Sequence, residues 1–391
     1  MVNFVFLSVY FYSVPNLRFS NPYKLRKVRL GDICTITGGY AFDSHKMKQQ
    51  GEYQIIKMGN LYNGIFDLSR NQSFINAPTK KELEYLIQKN DILITLTGTT
   101  NKKDYGYTVQ IEKPKKLLLN QRCALIRASK VNEKYLFYLL NSNDFLKQFY
   151  ASSTGGTGNQ TNVSINDMLD FKVYISNEND QLKISNILNA LDKKISTQIK
   201  IIDTLSSQKK QIRNLIFKDI HKNANCCIQD YVIYEQPQKY IVHSTDYVSH
   251  GKDYTPVLTA NQSFILGYTL EKDGIYKKGD CIIFDDFTNE NKYVDFPFKV
   301  KSSALKILQT KEGLMLKFFY EYLQFLNFES TDHKRHYLSE VAVTDISVPN
   351  LKEQTFLCKI FTSFDNKLKN EEALLEKYRL QKQFLLNNLF I

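Results

Sequence analysis

The strongest constraint on this fold is an ungapped internal repeat of amphipathic sequence. Residues Asp180–Phe217 align with Glu353–Phe390 at a constant offset of 173 positions. Eight aligned positions are identical, and the apolar pattern agrees better than the identities do. In both copies apolar residues recur at alternating steps of four and three, the 3.5-residue period of helices that pack along one narrow seam. The repeat therefore predicts two matching helices, each roughly 57 Å long, packed on one another.

The apolar heptad positions of the two copies define the predicted helix-pair interface. Both copies interrupt the pattern at the same two places, where Gln198 aligns with Glu371 and Lys209 with Lys382. The residues that we expect at the interface are Leu188, Leu191, Ile195, Ile202, Leu205 and Ile212 from the first copy, and Phe361, Phe364, Leu368, Leu375, Tyr378 and Leu385 from the second.

The repeat extends upstream of both helices. Val163–Val173 and Leu338–Val348 each contain a Ser followed six residues later by Asp, an apolar residue, any residue and Val. Further upstream, Asn90–Ile94 matches Gly279–Ile283, each a turn that leads into a short apolar strand, and Ala124 matches Ala304 in the next apolar run. The chain therefore reads as two copies of one mixed α/β domain, each followed by a long helix.

The predicted fold class is α+β, with two mixed α/β domains in a pseudo-twofold arrangement, separated by two long antiparallel coiled-coil helices. A chain of 391 residues is long enough for each domain to bury its own core. The expected boundaries are an N-terminal leader over residues 1–20, a first domain over 21–179, a central helix over 180–220, a second domain over 221–352 and a C-terminal helix over 353–391.

Cysteine usage and the N-terminal segment bear on the compartment. Six cysteines are present, with no CxxC pair and no spacing typical of a disulfide framework, which indicates a reducing, cytoplasmic environment. Met1–Ser13 is apolar but lacks a basic flank and a small-residue cleavage site, and it is too short to span a bilayer. We expect neither a secretion signal nor a membrane span.

The net charge of +12 is unevenly distributed. Asn21–Asn179 has 22 basic and 14 acidic residues, a net charge of +8, whereas His221–Lys352 has 15 and 17, a net charge of −2. A basic balance suits a polyanionic partner such as nucleic acid. On the first helix the basic residues that we expect to face outward, toward a partner, DNA phosphates or solvent, are Lys193, Lys194, Lys209, Lys210 and Arg213.

No complete catalytic motif is present in the sequence. It contains no GxxxxGK[ST] phosphate loop and no GxGxxG after a predicted strand. Asp285-Asp286 with Glu290-Asn291-Lys292 is spaced too tightly for a nuclease centre built on neighbouring strands. We therefore expect a non-catalytic protein with no cofactor and no metal.

Several stretches, in this order along the chain, are similar to characteristic segments of one family. The stretches are Val14–Phe19 with Val28–Ile33, Gln181–Phe217, Thr255–Asn261 with Phe264–Tyr268, and Glu353–Phe390. They resemble the specificity (S) subunit of type I restriction-modification enzymes, and the resemblance covers nearly everything from Val14 onward.

The resemblance implies a function in defence against foreign DNA. In this family two target-recognition domains each read one half of a split DNA site, in inverted orientation, while the paired helices fix the gap and dock the modification subunits. It implies double-stranded DNA, two modification (methyltransferase) subunits and the restriction (translocase-nuclease) subunits as partners. Methylation and ATP-dependent cleavage would belong to those partners.

Two other interpretations of the sequence stay open. One is the recognition module of a type II-like methyltransferase-nuclease. The other is a coiled-coil scaffold that binds protein and has no DNA specificity.

Polar segments at equivalent positions of the two domains are the candidate DNA-reading residues. Base edges are read by Arg, Lys, Asn and Gln, and phosphates are bound by Lys, Arg, Ser and Thr. Aligning Ser164 with Ser339 places one such segment immediately before the same predicted strand in each domain, and a second pair follows the first matched strand. The candidates are Asn159, Gln160, Thr161 and Asn162 opposite Lys334, Arg335, His336 and Tyr337, and Asn101, Lys102 and Lys103 opposite Asn291 and Lys292, with Tyr105 and Tyr107 as candidates for base stacking.

Overall fold

The computed structural model describes residues 25–155, 159–248, 254–260, 263–329 and 334–390. The predicted leader, residues 1–20, lies outside these ranges. The described chain forms two compact units, unit 1 from residues 25–197 with 375–390, and unit 2 from residues 198–374. No helix within the described ranges has the length and the apolar run needed to cross a membrane.

Unit 1 is a mixed α/β domain with short strands. Its strands are β1 Arg26–Arg29, β2 Cys34–Gly38, β3 Tyr53–Ile56, β4 Phe74–Ile75, β5 Ile92–Thr95, β6 Thr97–Thr99, β7 Thr108–Gln110, β8 Leu117–Leu119, β9 Cys123–Ala128, β10 Thr154–Gly155, β11 Gln160–Asn162 and β12 Lys172–Ile175. Its α-helices are α1 Lys80–Leu83, α2 Glu133–Leu139, α3 Asn143–Ala151 and α4 Ile165–Asp170.

The long helix α5 Glu178–His221 follows β12 and contributes to both units. The unit 2 strands are β13 Cys226–Cys227, β14 Val232–Glu235, β15 Thr255–Leu258, β16 Ile265–Thr269, β17 Cys281–Asp285, β18 Asn291–Val294, β19 Lys299–Val300, β20 Leu305–Thr310 and β21 Asp345–Ile346. Its helices are α6 Ile228–Tyr231, α7 Leu316–Leu326 and, shared with unit 1, α8 Leu351–Leu389.

The two units share the topology of three sheets, and unit 1 has a further three-stranded sheet, β10-β11-β6. Unit 1 contains a four-stranded sheet β2-β9-β5-β7, a three-stranded sheet β4-β3-β8 and a strand pair β1-β12. Unit 2 contains β14-β20-β17-β18, β16-β15-β19 and β13-β21 in the same connectivity, with the same parallel pair in the three-stranded sheet. The predicted domain duplication is therefore present in the fold.

Burial and strand pairing correct two sequence matches. Ile94 of β5 faces the helix-side core of unit 1 and pairs with Thr108 and Ala124, whereas Phe284 of β17 faces the helix-side core of unit 2 and pairs with Asn291 and Lys306. Ile94 is thus equivalent to Phe284 and not to Ile283, and Ala124 to Lys306 and not to Ala304. The sequence matches were wrong because apolar runs of similar composition align almost equally well when shifted by one or two residues.

Each long helix begins at an asparagine cap and is fastened to its domain by the next turn. The side-chain oxygens of Asn177 and Asn350 accept hydrogen bonds from the third residue of α5 and α8, each at 3.0 Å. The buried Gln181 accepts from the backbone N–H of Asn132, the cap of α2. Its equivalent, Gln354, accepts from the cap of α7, Met315. This shared fastening explains why Gln181 and Gln354 are identical in the repeat.

The predicted interface residues lie along the inner faces of α5 and α8. All of them are buried or half-buried, from fully buried Leu188 to partly exposed Ile202 and Leu368. Within each unit the two helix segments run antiparallel. In unit 1 Asp192 lies beside Lys382, and in unit 2 Gln198 lies beside Glu371.

Two basic residues that we expected to face outward do not. Lys193, Lys194 and Lys210 are exposed, whereas Lys209 and Arg213 point toward α7 and pair with Glu321, at 2.8 and 2.9 Å. The expectation was wrong for these two residues because α7 covers the face of α5 next to the helix-pair interface. A heptad pattern shows which residues face the partner helix, but it does not show what covers the neighbouring face.

Candidate nucleic-acid interface

In unit 1 the two predicted reading segments are neighbouring strands. β11 lies antiparallel to β6, with Gln160 opposite Thr99 and Asn162 opposite Thr97. The Thr97 hydroxyl donates to the Asn162 side-chain oxygen at 3.0 Å. The backbone N–H of Thr100 also donates to the Asn159 carbonyl at 2.9 Å. Residues that are about 60 positions apart in the chain therefore form one polar edge, which we call the unit 1 edge.

Gly98 allows this edge to form. A Cβ at Gly98 would lie 2.5 Å from Asp104 and 2.3 Å from Tyr105, so a larger residue would displace both. Asp104 instead folds back and accepts from the hydroxyl and the N–H of Thr99, at 2.6 and 2.7 Å. These hydrogen bonds hold the pKa of Asp104 below its ordinary value, so the carboxylate stays charged and keeps the turn before Tyr105 in place.

The exposed side chains of the unit 1 edge are a subset of the predicted ones. Asn159, Gln160, Asn162, Asn101, Lys102 and Lys103 are exposed. Thr161 is 5% exposed, and its hydroxyl donates to the Thr154 carbonyl in β10, so it serves the sheet and is not available to a ligand. Of the two candidate stacking residues, Tyr105 is buried and only Tyr107 reaches the surface.

In unit 2 Asp286, which directly follows β17, holds the predicted segment Lys334–Tyr337. The carbonyl and the carboxylate of Asp286 accept from the backbone N–H groups of His336 and Tyr337, each at 2.9 Å. The buried carboxylate is paired with Lys306 at 3.2 Å. We call Asp286 with Lys334–Tyr337 the unit 2 edge. It lies at the corresponding end of the four-stranded sheet, because Asp286 comes directly after β17 and Thr97 of the unit 1 edge comes two residues after the end of β5.

Burial divides the predicted residues of the unit 2 edge. Lys334 and Arg335 are exposed, and the Arg335 guanidinium lies 5.8 Å from the ring centre of Phe287. His336 and Tyr337 are 2% and 1% exposed. Both were predicted to read DNA, and this is corrected: His336 bonds Glu340 within the same turn and Tyr337 packs on Phe284, so both hold the edge in place.

Asn291 and Lys292 begin β18 and are half-buried. The Asn291 oxygen accepts from Gln324 of α7 at 2.7 Å, and its amide donates to the Asn289 carbonyl. In unit 1 the equivalent hydrogen bond runs from the Asn141 amide to the Thr108 hydroxyl at 2.6 Å. Asn291 therefore fastens the sheet to α7, and Lys292 is the residue of the two that carries a charge.

Arg122 belongs to the unit 1 edge and was missed by the sequence analysis. It is exposed, its φ of +71° is left-handed, and its carbonyl accepts from the N–H of Leu96 directly before β6. A non-glycine residue in this conformation is uncommon and concentrates at functional positions. No sequence motif marks it, because the left-handed conformation is imposed by the loop between β8 and β9.

Known proteins resemble this chain in part of its sequence and in its fold. Residues 22–206 match the family model described as the type I restriction modification DNA specificity domain. The chain is 48% identical over 122 residues to the type I restriction enzyme EcoR124I/EcoR124II specificity subunit of Escherichia coli, a stretch that covers 30% of each protein. The matched part thus spans less than a third of that curated relative.

Two solved structures share the fold over nearly the whole chain. The type I restriction-modification S subunit from M. genitalium matches with a TM-score of 0.61 and 17% identity, covering 97% of this chain and 99% of its own. A chain from a structure of complex assembly and conformational transition in the type I R-M system matches with a TM-score of 0.54 and 14% identity, covering 94% and 98%. At these identities the likeness shows the fold. The family model is matched by residues 22–206, which are therefore similar to a type I restriction modification DNA specificity domain, and the chain as a whole shares the fold of the two solved structures.

Proposed function

We propose that this chain is the non-catalytic DNA specificity subunit of a type I restriction-modification complex, in which each unit reads one half of a bipartite DNA site. The observation that supports this most directly is the recurrence of one polar edge in both units. Each edge follows the same strand of the matched four-stranded sheets, β5 in unit 1 and β17 in unit 2, yet the exposed side chains differ and the unit 1 edge lies on the additional sheet β10-β11-β6. Two readers of different half-sites need a shared framework with different contact residues.

The chemistry of each edge suggests what each unit reads. Unit 1 presents the carboxamides of Gln160 and Asn162, and a carboxamide matches the adjacent donor and acceptor of adenine in the major groove. Unit 2 presents Lys334 and Arg335, which match the two acceptors of guanine. The Arg335 guanidinium is oriented by the Phe287 ring and lies 4.0 Å from the Asp286 carboxylate. We therefore propose an adenine contact in the first half-site and a guanine contact in the second.

The long helices would set the unread gap and dock the partners. α5 has 44 residues and α8 has 39, lengths of about 66 and 58 Å at 1.5 Å per residue. Successive major-groove faces on one side of B-DNA lie about 34 Å apart, so helices of this length are long enough to separate two readers. Two modification subunits would dock to the chain, with the restriction subunits joining the complex, which would act on double-stranded DNA in the cytoplasm.

The test is a motif map made with variants of one edge at a time. The chain is coexpressed with its modification subunit in a methylation-free host, and methylated adenines are mapped genome-wide for wild type, Gln160→Ala with Asn162→Ala, and Arg335→Ala. We expect a two-part motif in which the first variant relaxes only one half and Arg335→Ala only the other. Gln50→Ala and Lys239→Ala, which remove an exposed carboxamide and an exposed positive charge outside both edges, serve as controls. Relaxation of both halves by either edge variant would contradict the proposal.

A further inference from the structure

The loop after β3 in unit 1 is built around one buried asparagine. We call residues 57–70 the Tyr62 loop. Asn60 is fully buried, and its side chain accepts from the N–H of Lys57 at 2.8 Å. The same side chain donates to the carbonyls of Asp67 and Arg70, at 2.9 and 2.6 Å. Asn60 thus joins both ends of the loop, and its own carbonyl accepts from the Asp67 N–H at 2.9 Å.

This loop presents apolar side chains to solvent. Leu61 is fully buried in the unit 1 core, whereas Tyr62 is 54% exposed and Ile65 is 64% exposed. Isolated exposed apolar residues are ordinary. Here, however, two large ones protrude from a loop whose ends are fixed by internal hydrogen bonds, with the cation of Arg70 5.7 Å from the Tyr62 ring centre.

The Tyr62 loop is continuous with the unit 1 edge. The Tyr62 ring contacts the Tyr107 ring edge-on at 5.7 Å between centres. The backbone N–H of Tyr107 donates to the Thr95 hydroxyl at 3.1 Å, at the end of β5 just before β6. Tyr107 also follows Asp104, the residue that holds Thr99. These contacts lead from Tyr62 through Tyr107 to the start of β6, the strand that pairs with Gln160 and Asn162 of β11.

DNA offers one group that suits the exposed apolar side chains of the Tyr62 loop. Hydrogen-bonding side chains read the donors and acceptors of base edges, but the C5-methyl group of thymine is read by apolar contact. We propose that Tyr62 and Ile65 contact a thymine methyl group in the half-site read by unit 1, while Arg70 contacts a neighbouring phosphate. This inference rests on the proposed function and adds a specificity element to it.

Unit 1 also provides a matched control residue. Tyr174 of β12 is 39% exposed and carries the Lys27 ammonium 5.7 Å from its ring centre, as Tyr62 carries Arg70. Tyr174 lies in the β1-β12 strand pair, whose register joins it to Lys27 and not to β6 or β11. Tyr174→Ala therefore removes a tyrosine side chain, as Tyr62→Ala does, but at a position outside the unit 1 edge.

The experiment replaces each thymine of the first half-site with deoxyuridine, which removes only the methyl group. Binding of the full-length chain, in complex with its modification subunit, is measured for each DNA with wild type, Tyr62→Ala, Ile65→Ala and Tyr174→Ala. For wild type and Tyr174→Ala we expect one position at which affinity falls about fourfold, the effect of one buried methyl group. At that position Tyr62→Ala or Ile65→Ala should show no further loss, since the contact is already absent.

The outcomes separate this inference from the proposed function. If wild type binds its motif but no deoxyuridine changes its affinity, the thymine contact is wrong while DNA reading stands. The thymine contact is also wrong if the loop variants respond to deoxyuridine as wild type does. If wild type shows no sequence preference at all, both proposals fail. Thermal unfolding of each variant confirms that it is folded.

Discussion

Gln198 donates a hydrogen bond to the Glu371 carboxylate at 2.6 Å, and the two residues are equivalent positions of the internal repeat. Gln198 is 5% exposed and donates to the Glu371 carbonyl as well, at 3.1 Å. Because Gln198 contacts the residue that occupies its own position in the other repeat, this contact lies at the centre of the antiparallel alignment of the two repeats. A polar pair in an apolar seam fixes the register of the helices at some cost in stability.

We expect Gln198→Leu alone to destabilise the chain by about 1–2 kcal/mol, because the half-buried Glu371 loses its donor. Adding Glu371→Leu should restore stability to the wild-type level or above it, since no polar group is then left unpaired. Urea unfolding of the two single variants and the double variant measures this. A double variant less stable than both single variants would show that the pair is a net source of stability.

A second pair of equivalent contacts flanks this centre. Lys209 lies 2.6 Å from Asp365 in unit 2, and Lys382 lies 2.6 Å from Asp192 in unit 1. In unit 1 Asp192 also accepts from Tyr138 of α2 at 2.8 Å. In unit 2 the position equivalent to Tyr138 is Glu321, which is fully buried. The same salt bridge therefore joins the two long helices in both units, but the domain helix adds Tyr138 to it in unit 1 and Glu321 in unit 2.

Glu321→Gln is expected to destabilise unit 2 by about 3–5 kcal/mol, because Arg213 loses its buried carboxylate partner and Lys209 and Lys317 are left to share Asp365. Lys209, Arg213 and Lys317 all lie within 2.9 Å of this carboxylate. Asp192→Asn, at a side chain that is 30% exposed, should cost only about 0.5–1.5 kcal/mol. Denaturant unfolding of both variants checks the difference, and equal losses would mean that the buried cluster contributes no more than the exposed pair.

Asp365 should make stability depend on pH in the acid range. Burial raises the pKa of Asp365, but hydrogen bonds and charges from Lys209 and Lys317 outweigh it and bring the pKa below its ordinary value of 3.8. A carboxylate whose folded-state pKa is depressed contributes stability above its unfolded value, and that contribution is lost as the pH falls through the folded pKa. The loss caused by Asp365→Asn should therefore be constant from pH 7 to about pH 5 and shrink below pH 4. A loss that is independent of pH down to about pH 3 would contradict the ionic role.

Lys102 and Lys103 are expected to contact DNA phosphates. Each phosphate contact contributes about 0.9 to the slope of log affinity against log salt. Replacing both residues with Ala should weaken binding equally on all DNA sequences and lower the slope by roughly 1–2. Titrations at several salt concentrations, on motif and non-motif duplexes, measure both effects. An unchanged slope would remove these residues from the phosphate contacts.

The repeat was sufficient to predict the helices and the duplicated domain. A 3.5-residue period is a local property, so α5 and α8 could be recognised from spacing alone. Several repeat identities now have a structural reason, because they fasten the helices to their domains. Phe217 and Phe390, for instance, pack on the equivalent rings of Phe318 and Tyr135, with centres 5.2 Å apart in both units.

The details of the polar edges could not be predicted in the same way. His336 and Tyr337 look like ligand-binding residues until Asp286, about 50 positions away, is seen to hold their backbone in a buried turn. Lys209 looks solvent-exposed until Glu321 is placed against it. The Tyr62 loop carries no motif, because its shape depends on the hydrogen bonds of one asparagine. Burial and long-range hydrogen bonding decide whether these side chains can contact a ligand, and neither can be predicted from the neighbouring residues in the sequence.

The most direct measurement is a genome-wide, single-molecule map of adenine methylation in the source cell, with this gene intact and deleted. We expect a two-part motif with a gap of fixed length that is methylated in the intact strain and unmethylated after deletion. Restoring the gene on a plasmid should restore the motif. An unchanged methylation map in cells that express the partner methyltransferase would contradict the central claim that this chain confers DNA specificity.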